Sequence, residues 1–566
     1  MSKNIVCGID LGTTYSCIAY MDSSNKAVVI KNAESEPTTP SVVFFEDKEN
    51  VTVGELAKEN AKLYPDKVVT AIKRSMGKDG GNRTIDGITR TPSEISSYIL
   101  KKLVSDAEDT LRQENVLGDE EHIKNVVITC PAYFGMNQRK ATKEAGEIAQ
   151  LNVLHIINEP TAAAISYGVT DDAAQEKTVM VYDLGGGTFD VTMIRITPKP
   201  TRKIEVICTG GDQNLGGKDW DEAVMMYLDN EFQKGTGTST SILDDPETLQ
   251  TLMIDVEKIK KILSFKTKAP LTINAYGKRF RTELTREKFD EITEPLIDRT
   301  IGFVSDIFKE AEKKGVSKDK VDEILLVGGS SRMPQVKTKL AQSFPNISLK
   351  MYDPDESVAK GAAIYATRMD EFNQMISDIA GQSGLSAENI KNRIANGESA
   401  KSIAQKAHVN TEKIKFIAPS EELDVTNVTS RSFGTEAFDT DGDKWLYNII
   451  KKNTQIPAVG TDEFCPVKEN QRDAQFDIFE DVSSDDRVSP ETGNKIGKAI
   501  LKLPEGCTRD THIKVKFILD EDGLLKIDAE EVKEHHKVHA EIRTKDFFTP
   551  EEKTSAIRRV KKTKVE

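Results

Sequence analysis

Asp10-Leu11-Gly12-Thr13-Thr14 and Asp183-Leu184-Gly185-Gly186-Gly187-Thr188 write one device twice in a single chain. Each follows a short apolar run, Ile5-Val6-Cys7 or Val179-Met180-Val181-Tyr182, which predicts a buried strand. Each then presents a carboxylate, a glycine-rich turn and hydroxyls. Glycine lets the backbone turn sharply and approach a ligand closely, so successive N–H groups can point at phosphate oxygens. Two such hairpins predict two related lobes that grip one nucleotide from opposite sides.

Around these hairpins, residues 1 to about 376 alternate short apolar runs with amphipathic stretches, the pattern of an α/β domain. Helices are expected over 92–114, 137–149, 249–264 and 286–314, and strands over 126–129, 179–182 and 323–327. A third glycine turn, Val327-Gly328-Gly329-Ser330-Ser331-Arg332-Met333-Pro334, follows the last of these strands. It reads either as a plain strand-to-helix connection or as another close approach to ligand, with Arg332 able to stack on a base. Glu257, Lys260, Lys261 and Ser264 stand at i, i+3, i+4 and i+7 and share one helical face. That face is either a solvated charged stripe or a nucleoside-binding surface, its carboxylate for ribose hydroxyls and its long stems for the base. Asp10 and Asp183 could cap their own turns. Beside a triphosphate, such carboxylates instead hold hydrated Mg²⁺ and orient the attacking water.

A net charge of −14 over 566 residues argues against a nucleic-acid partner held by a broad basic surface. Hydrophobic and charged contents of 37% and 30% fit a soluble globular chain. Apolar runs such as Ile324-Leu325-Leu326-Val327 are too short to cross a bilayer, and neither end carries a signal-like or lipidation motif, so no membrane partner is expected. Cys7, Cys17, Cys130, Cys208, Cys465 and Cys507 are scattered without a C-x-x-C pair, which predicts isolated small residues in a reducing cytoplasm.

Beyond about residue 427 the period changes to two. Ile513, Val515, Phe517 and Leu519 alternate with Lys514, Lys516 and Ile518, and Asp520-Glu521-Asp522-Gly523 turns the chain into 524–529. Val538, Ala540 and Ile542 alternate again, so a β-sandwich is expected over 432–544. Between the two domains, 387–396 and 399–407 predict short helices separated by Gly397. They could be a DNA-reading helix-turn-helix or an inserted spacer, and the acidic balance favours the spacer. Asp439-Thr440-Asp441-Gly442-Asp443 suggests a calcium loop, but its glycine arrives early and Ile450 stands where the closing glutamate belongs; a hairpin turn is expected. A last helix is expected to start at Pro550-Glu551-Glu552, with nothing after it to bundle against. The resulting division is 1–376, 377–426, 427–545 and 546–566.

Together these residues resemble the nucleotide-binding domain of the seventy-kilodalton heat-shock chaperones, the DnaK-type family. The resemblance covers nearly all of 3–370, through GIDLGTTYSCIAY at 8–20, AIKRSMG at 71–77, VVITCPAYFGMNQRKATKEAG at 126–146 and IINEPTAAAISYG at 156–168. It continues through VYDLGGGTFDVT at 181–192, GGDQNLGGKDWD at 210–221, LLVGGSSRMPQV at 325–336 and DPDESVAKGAA at 353–363. It implies an α/β actin-like ATPase of two lobes, each with two subdomains, with nucleotide at the base of the cleft, followed by an all-β sandwich that binds peptide. By position it implies that Gly12, Thr13, Thr14 and Tyr15, with Gly185, Gly186 and Gly187, cradle the phosphates of ATP or ADP. Lys73 is implied as the catalytic lysine near the γ-phosphate, and Asp10 and Asp183 serve Mg²⁺ and bound monovalent cations such as K⁺. Glu159 helps position water or the ion shell, and Thr188 lies near the nucleophilic water. Glu257, Lys260, Lys261 and Ser264 hold adenosine with Gly328, Gly329, Ser330 and Arg332, and Asp355 closes the base of that pocket. Pro131 and Arg139 relay nucleotide state to the second domain.

The chain also departs from the family pattern. The family usually has arginine where Lys261 stands, so somewhat weaker nucleotide binding is expected. Its leucine-rich linker is replaced by Pro419-Ser420-Glu421-Glu422-Leu423-Asp424-Val425, with Leu423 and Val425 as the remaining apolar anchors, so weaker docking is expected. The sandwich shares fewer residues with the family, among them Lys452-Asn453-Thr454-Gln455-Ile456-Pro457 and Asp522-Gly523-Leu524-Leu525. Phe438, Phe464, Ala474, Phe476 and Leu524 are its candidate groove residues, or else sandwich core. The helical lid over the groove is missing from the pattern, so rapid exchange of bound peptide is expected. The function implied is an ATP-hydrolysing chaperone for unfolded or extended polypeptides, with a J-domain co-chaperone and a nucleotide-exchange factor as partners. The alternative is an ATP-gated adaptor with one dedicated protein partner; a small-molecule kinase on the same scaffold fits less well.

Overall fold

Backbone pairing builds the two hairpins on one plan. In the computed structural model, which describes residues 5–78, 80–170, 175–198, 202–395, 398–416, 423–532, 537–541 and 548–566, Val6–Asp10 pairs antiparallel with Tyr15–Met21 and parallel with Asn125–Cys130. Lys177–Leu184 likewise pairs antiparallel with Phe189–Thr197 and parallel with Glu323–Val327. Counted along each lobe's main sheet, the strand order is 5-4-1-2-3 in both. The repeated glycine motif is therefore the visible part of a repeated lobe. Continuous apolar runs suit these parallel-containing sheets because helices cover them.

The expected helices form within three residues of their expected bounds, as Pro92–Gln113, Met136–Ile148, Pro246–Phe265 and Arg286–Lys313. Local chemistry sets their starts. Thr91 accepts the Glu94 N–H at 3.2 Å and Asp245 accepts the Thr248 N–H at 2.8 Å, each with proline in the first turn. Ser357–Ser383 packs so tightly on the first lobe that a Cβ on Gly8 or Gly361 would overlap opposing backbone. This helix runs unbroken across 376/377. Its last turns put Met375, Ile376 and Ile379 into a small core with Ile390, Ile403 and Ala404 from Ala387–Ala395 and Ala400–Lys406. The insert is thus a three-helix knob grown from the first lobe, and Asn396 and Gly397 lie outside the described residues.

The linker is itself a strand. Leu423–Val428 lies parallel to Arg202–Asp212, from Arg202 opposite Leu423 to Glu205 opposite Thr426, and extends the second lobe's sheet. Leu423 and Val425 pack against the apolar cluster containing Ile204 and Val206. Apolar anchors are few, and main-chain pairing joins them in holding the segment. Residues 419–422 lie outside the described residues.

The sandwich places a five-stranded sheet around Ser432–Phe438 against a four-stranded sheet around Ile513–Leu519. Ile513, Val515, Phe517 and Leu519 are all buried, as their alternation predicts. Asp439 accepts the N–H groups of Asp441 and Asp443, making the expected hairpin turn. Of the groove candidates, Ala474 and Phe476 belong to the sandwich core, Phe464 packs half-buried on Phe476 with ring centroids 5.9 Å apart, and Phe438 is exposed. Leu524 also packs half-buried on this core, far from Phe464. Phe464 pairs with Ile513 at one end of its strand, whereas Leu524 sits in the turn beyond Leu519 at the other, about 20 Å away. That turn faces the first lobe. Asp522 accepts from Lys143 at 2.6 Å and meets His155 Nδ1 at 2.7 Å. Asn453 accepts the Thr209 N–H at 3.1 Å, while Lys314 donates to the Asn453 carbonyl at 2.6 Å, so the sandwich braces on both lobes.

The final helix, Pro550–Lys562, starts with a capping box between Thr549 and Glu552. Nothing after it bundles with it; its partner is the first lobe, earlier in the chain. Ala556 and Val560 are fully buried in the first lobe's core, and Arg559 makes a two-pronged pair with Glu94 at 2.8 and 2.7 Å. Lys564–Val565 then adds a parallel strand to the edge of Asn50–Val53. No helix among the described residues is long and apolar enough to cross a membrane.

Candidate functional site: a nucleotide cleft between the lobes

The two hairpin turns lie face to face. A Cβ on Gly186 would collide with the Thr14 side chain, and one on Gly187 with that of Thr13. Between them and the third glycine turn lies a cavity of about 540 Å³, within the usual size of a small-ligand site. Asp10, Gly12, Thr13, Thr14, Tyr15, Lys73, Glu159, Asp183, Gly185, Gly186 and Thr188 line its deep end. Glu257, Lys260, Lys261, Ser264, Gly328, Gly329, Ser330, Arg332 and Asp355 also line it. Gly187 is the one predicted cradle residue that does not; its carbonyl accepts from Arg74 Nε at 2.9 Å.

The deep end gathers negative charge. Lys73 is buried and ion-paired with Glu159. Burial alone would lower the Lys73 pKa, but Glu159 and Asp10 outweigh it and the ammonium is held more firmly. Burial first, and Glu159 second, push Asp10 up to about 7 against the pull of Lys73. The same two causes raise Asp183, with Asp190 and Asp10 adding to the effect. Four carboxylates around one ammonium form a set that awaits cations. Among the described residues no three such groups converge tightly enough to chelate a metal alone. The buried Thr14 Oγ1, without a hydrogen-bond partner, is a further group a phosphate oxygen would satisfy.

At the cavity mouth the helix face acts across the cleft. Glu257 accepts from the Tyr15 hydroxyl at 3.0 Å and from Lys58 at 2.7 Å, and Lys261 donates to the Tyr15 oxygen at 2.9 Å. Although burial opposes it, Lys58 and Lys261 hold Glu257 down at about 2. Lys260 donates to the Gly217 carbonyl at 2.7 Å and pairs with Asp221. Arg332 is held by Asp355 at 2.5 Å.

Several contributors escaped the sequence reading. Asp190, two residues beyond Thr188, accepts the Tyr133 N–H at 2.9 Å and is pushed by burial and Glu159 up to about 8. Its place in the repeated hairpin was an available signal. Lys58 comes from 199 residues away and carried none. Lys218 also lines the cavity, its pKa lowered by burial and by Arg74 to about 8.

Pro131 and Arg139 lie between this site and the sandwich. Arg139 donates to the Asn158 side chain, next to Glu159, and to the Phe134 carbonyl at 3.3 Å. Its stem lies against Gly523 of the docked turn. Pro131 is buried at the base of this connection, and its carbonyl accepts the Phe134 N–H at 3.1 Å.

A family model described as Hsp70 protein matches residues 6–88, 82–380 and 365–566. Chaperone protein DnaK of Thermotoga petrophila is 36% identical over 538 residues, covering 94% of this chain and 79% of that protein. The protein of the same name from Thermosipho melanesiensis is 35% identical over 539 residues, covering 94% and 78%. That of Halobacterium salinarum is 33% identical over 540 residues, covering 94% and 74%. The paired lobes and the sandwich are the actin-like ATPase and β-sandwich expected of such relatives, and the chain belongs to the Hsp70 family.

Proposed function

We propose that this chain is an ATP-dependent chaperone whose hydrolytic site sets the grip of the sandwich on unfolded or extended polypeptides. The observation that carries the reading is the buried set of Asp10, Glu159, Asp183 and Asp190 around Lys73, joined through Asn158 and Arg139 to the docked turn at Gly523. Water attacks the γ-phosphorus in line; its new O–P bond forms as the bridging bond to the β-phosphate breaks, ADP leaves with the electron pair, and the water's proton passes to an oxygen of the released phosphate. Lys73 places a fixed ammonium beside the charge that develops, and Glu159 holds that ammonium in place. Thr188 positions the attacking water. The Gly12–Tyr15 and Gly185–Gly187 backbones hold the phosphates, and the Lys58–Glu257 pair spans the mouth. Mg²⁺, when bound, neutralises the phosphate oxygens; Asp10 and Asp183 would hold its water shell and would also serve K⁺. A J-domain protein and a nucleotide-exchange factor are the partners that suit a slow, gated hydrolysis. The test is steady-state ATP hydrolysis with and without an extended apolar peptide. Lys73→Ala is expected to lower turnover by about a hundredfold or more, and peptide to stimulate only the unaltered protein. Full activity in Lys73→Ala would overturn the assignment of that lysine, and absence of peptide stimulation would overturn the coupling.

A further inference from the structure

Phe265 is 81% exposed, more than any other large apolar residue described, and yet it lines the nucleotide cavity. It ends the helix Pro246–Phe265 and joins none of the apolar clusters that this helix builds among the described residues. Glu257, Lys261 and Phe265 follow one another at four-residue intervals, so they form one stripe along the cavity wall. The first two are committed, Glu257 to Lys58 and Tyr15, and Lys261 to Glu257 and Tyr15. The Lys261 ammonium is 4.7 Å above the Tyr15 ring centroid, beside the phosphate turn. Phe265 has no such commitment. The cavity is also lined by the Gly329–Arg332 turn, where Asp355 fixes the planar guanidinium of Arg332.

We propose that Phe265 is the stacking platform for the base of the bound nucleotide, that it makes the site prefer purines to pyrimidines, and that Arg332 works with it. The proposal rests on the reading of this cavity as a nucleotide site. A flat heteroaromatic ring is the ligand chemistry that uses an aromatic side chain and a guanidinium plane together. It would cover the apolar ring that the free protein leaves in water. Stacking on an aromatic side chain is sequence-tolerant but strengthens with the area of the base, which favours the larger purine. The ring stands at a rim, so its contribution is expected at the low end, about tenfold in affinity or roughly 1.4 kcal/mol.

The experiment is calorimetric titration of the full chain with Mg-ADP and with Mg-UDP, which carry the same phosphates and ribose. Phe265→Ala is expected to weaken ADP about tenfold and UDP much less, while Phe265→Tyr retains the ADP affinity. Thermal melting checks that the variants are folded, as exposure of the residue predicts. ADP affinity unchanged in Phe265→Ala would overturn the stacking role, and so would equal losses for ADP and UDP, which would mark a general change in the cleft. Unaltered protein that bound neither nucleotide would overturn the site itself.

Discussion

Lys218 illustrates how one buried charge tunes this cleft. Its pKa is lowered to about 8, by burial first and by Arg74 second, because the free protein offers its ammonium little compensation. A polyphosphate in the cavity would favour the charged form. Below pH 8 the ammonium is already present, whereas above it binding must take up a proton, and affinity falls as pH rises. Isothermal titration should therefore show ADP binding weakening between pH 7 and 9, with Asp10 and Asp190 adding to the slope as they ionise, and Lys218→Met should reduce that slope and bind about tenfold more weakly at pH 7, roughly 1.4 kcal/mol. A slope in the variant equal to that of the unaltered protein would contradict this. Single residues of this kind were unevenly legible in the sequence. Gly186 and Gly187 announce themselves, because Thr13 and Thr14 occupy the space of any Cβ there. Glu257 could be placed on a helix face, but its partner Lys58 stands on a distant segment, and no spacing rule reaches that far.

Among the elements, strand Asp473–Asp481 carries its own pH response into the domain contact. Glu480 faces Gly135 and Met136 of the first lobe, with Arg431 and Asn494 beside it, and burial raises its pKa against the pull of Arg431. A carboxyl raised on docking favours the docked state while protonated, and that advantage is lost as pH rises above its ordinary value near 4.5. Asp522 acts in the opposite sense. Burial would raise it, but His155 and Lys143 hold it far below the usual range, so its contribution is present above about pH 4 and lost in stronger acid. Docking should be firmest in mild acid and loosen toward neutrality. Glu480→Gln should remove the loosening, measured as slower amide exchange in Leu423–Val428 at pH 7.5; exchange identical to the unaltered protein would refute it. The linker strand itself was only half legible. Leu423 and Val425 could be named as anchors, but a parallel main-chain pairing has no side-chain signature. The turn at Asp522-Gly523 was readable as a turn, while the end of the sandwich on which it lies was not.

Considered as one object, the molecule is held together by a segment whose helix was foreseeable and whose destination was not. Thr549, Pro550 and Glu552 announce the helix start, but only the folded chain shows Ala556 and Val560 completing the first lobe's core. Val560→Ala should cost roughly 2 kcal/mol of first-lobe stability, read as a lower melting temperature in calorimetry; an unchanged melt would show that this helix is not part of that core. The sandwich is consequently moored twice, through Leu423–Val428 to the second lobe and through the segment ending in Lys564–Val565 to the first. Two moorings act as a bivalent attachment. When one lets go, the other keeps the sandwich at a high effective concentration beside its dock, and release requires both to open together. Weak individual contacts are then enough for a persistent embrace, and a signal from the cleft has to loosen two lobes at once to set the sandwich free.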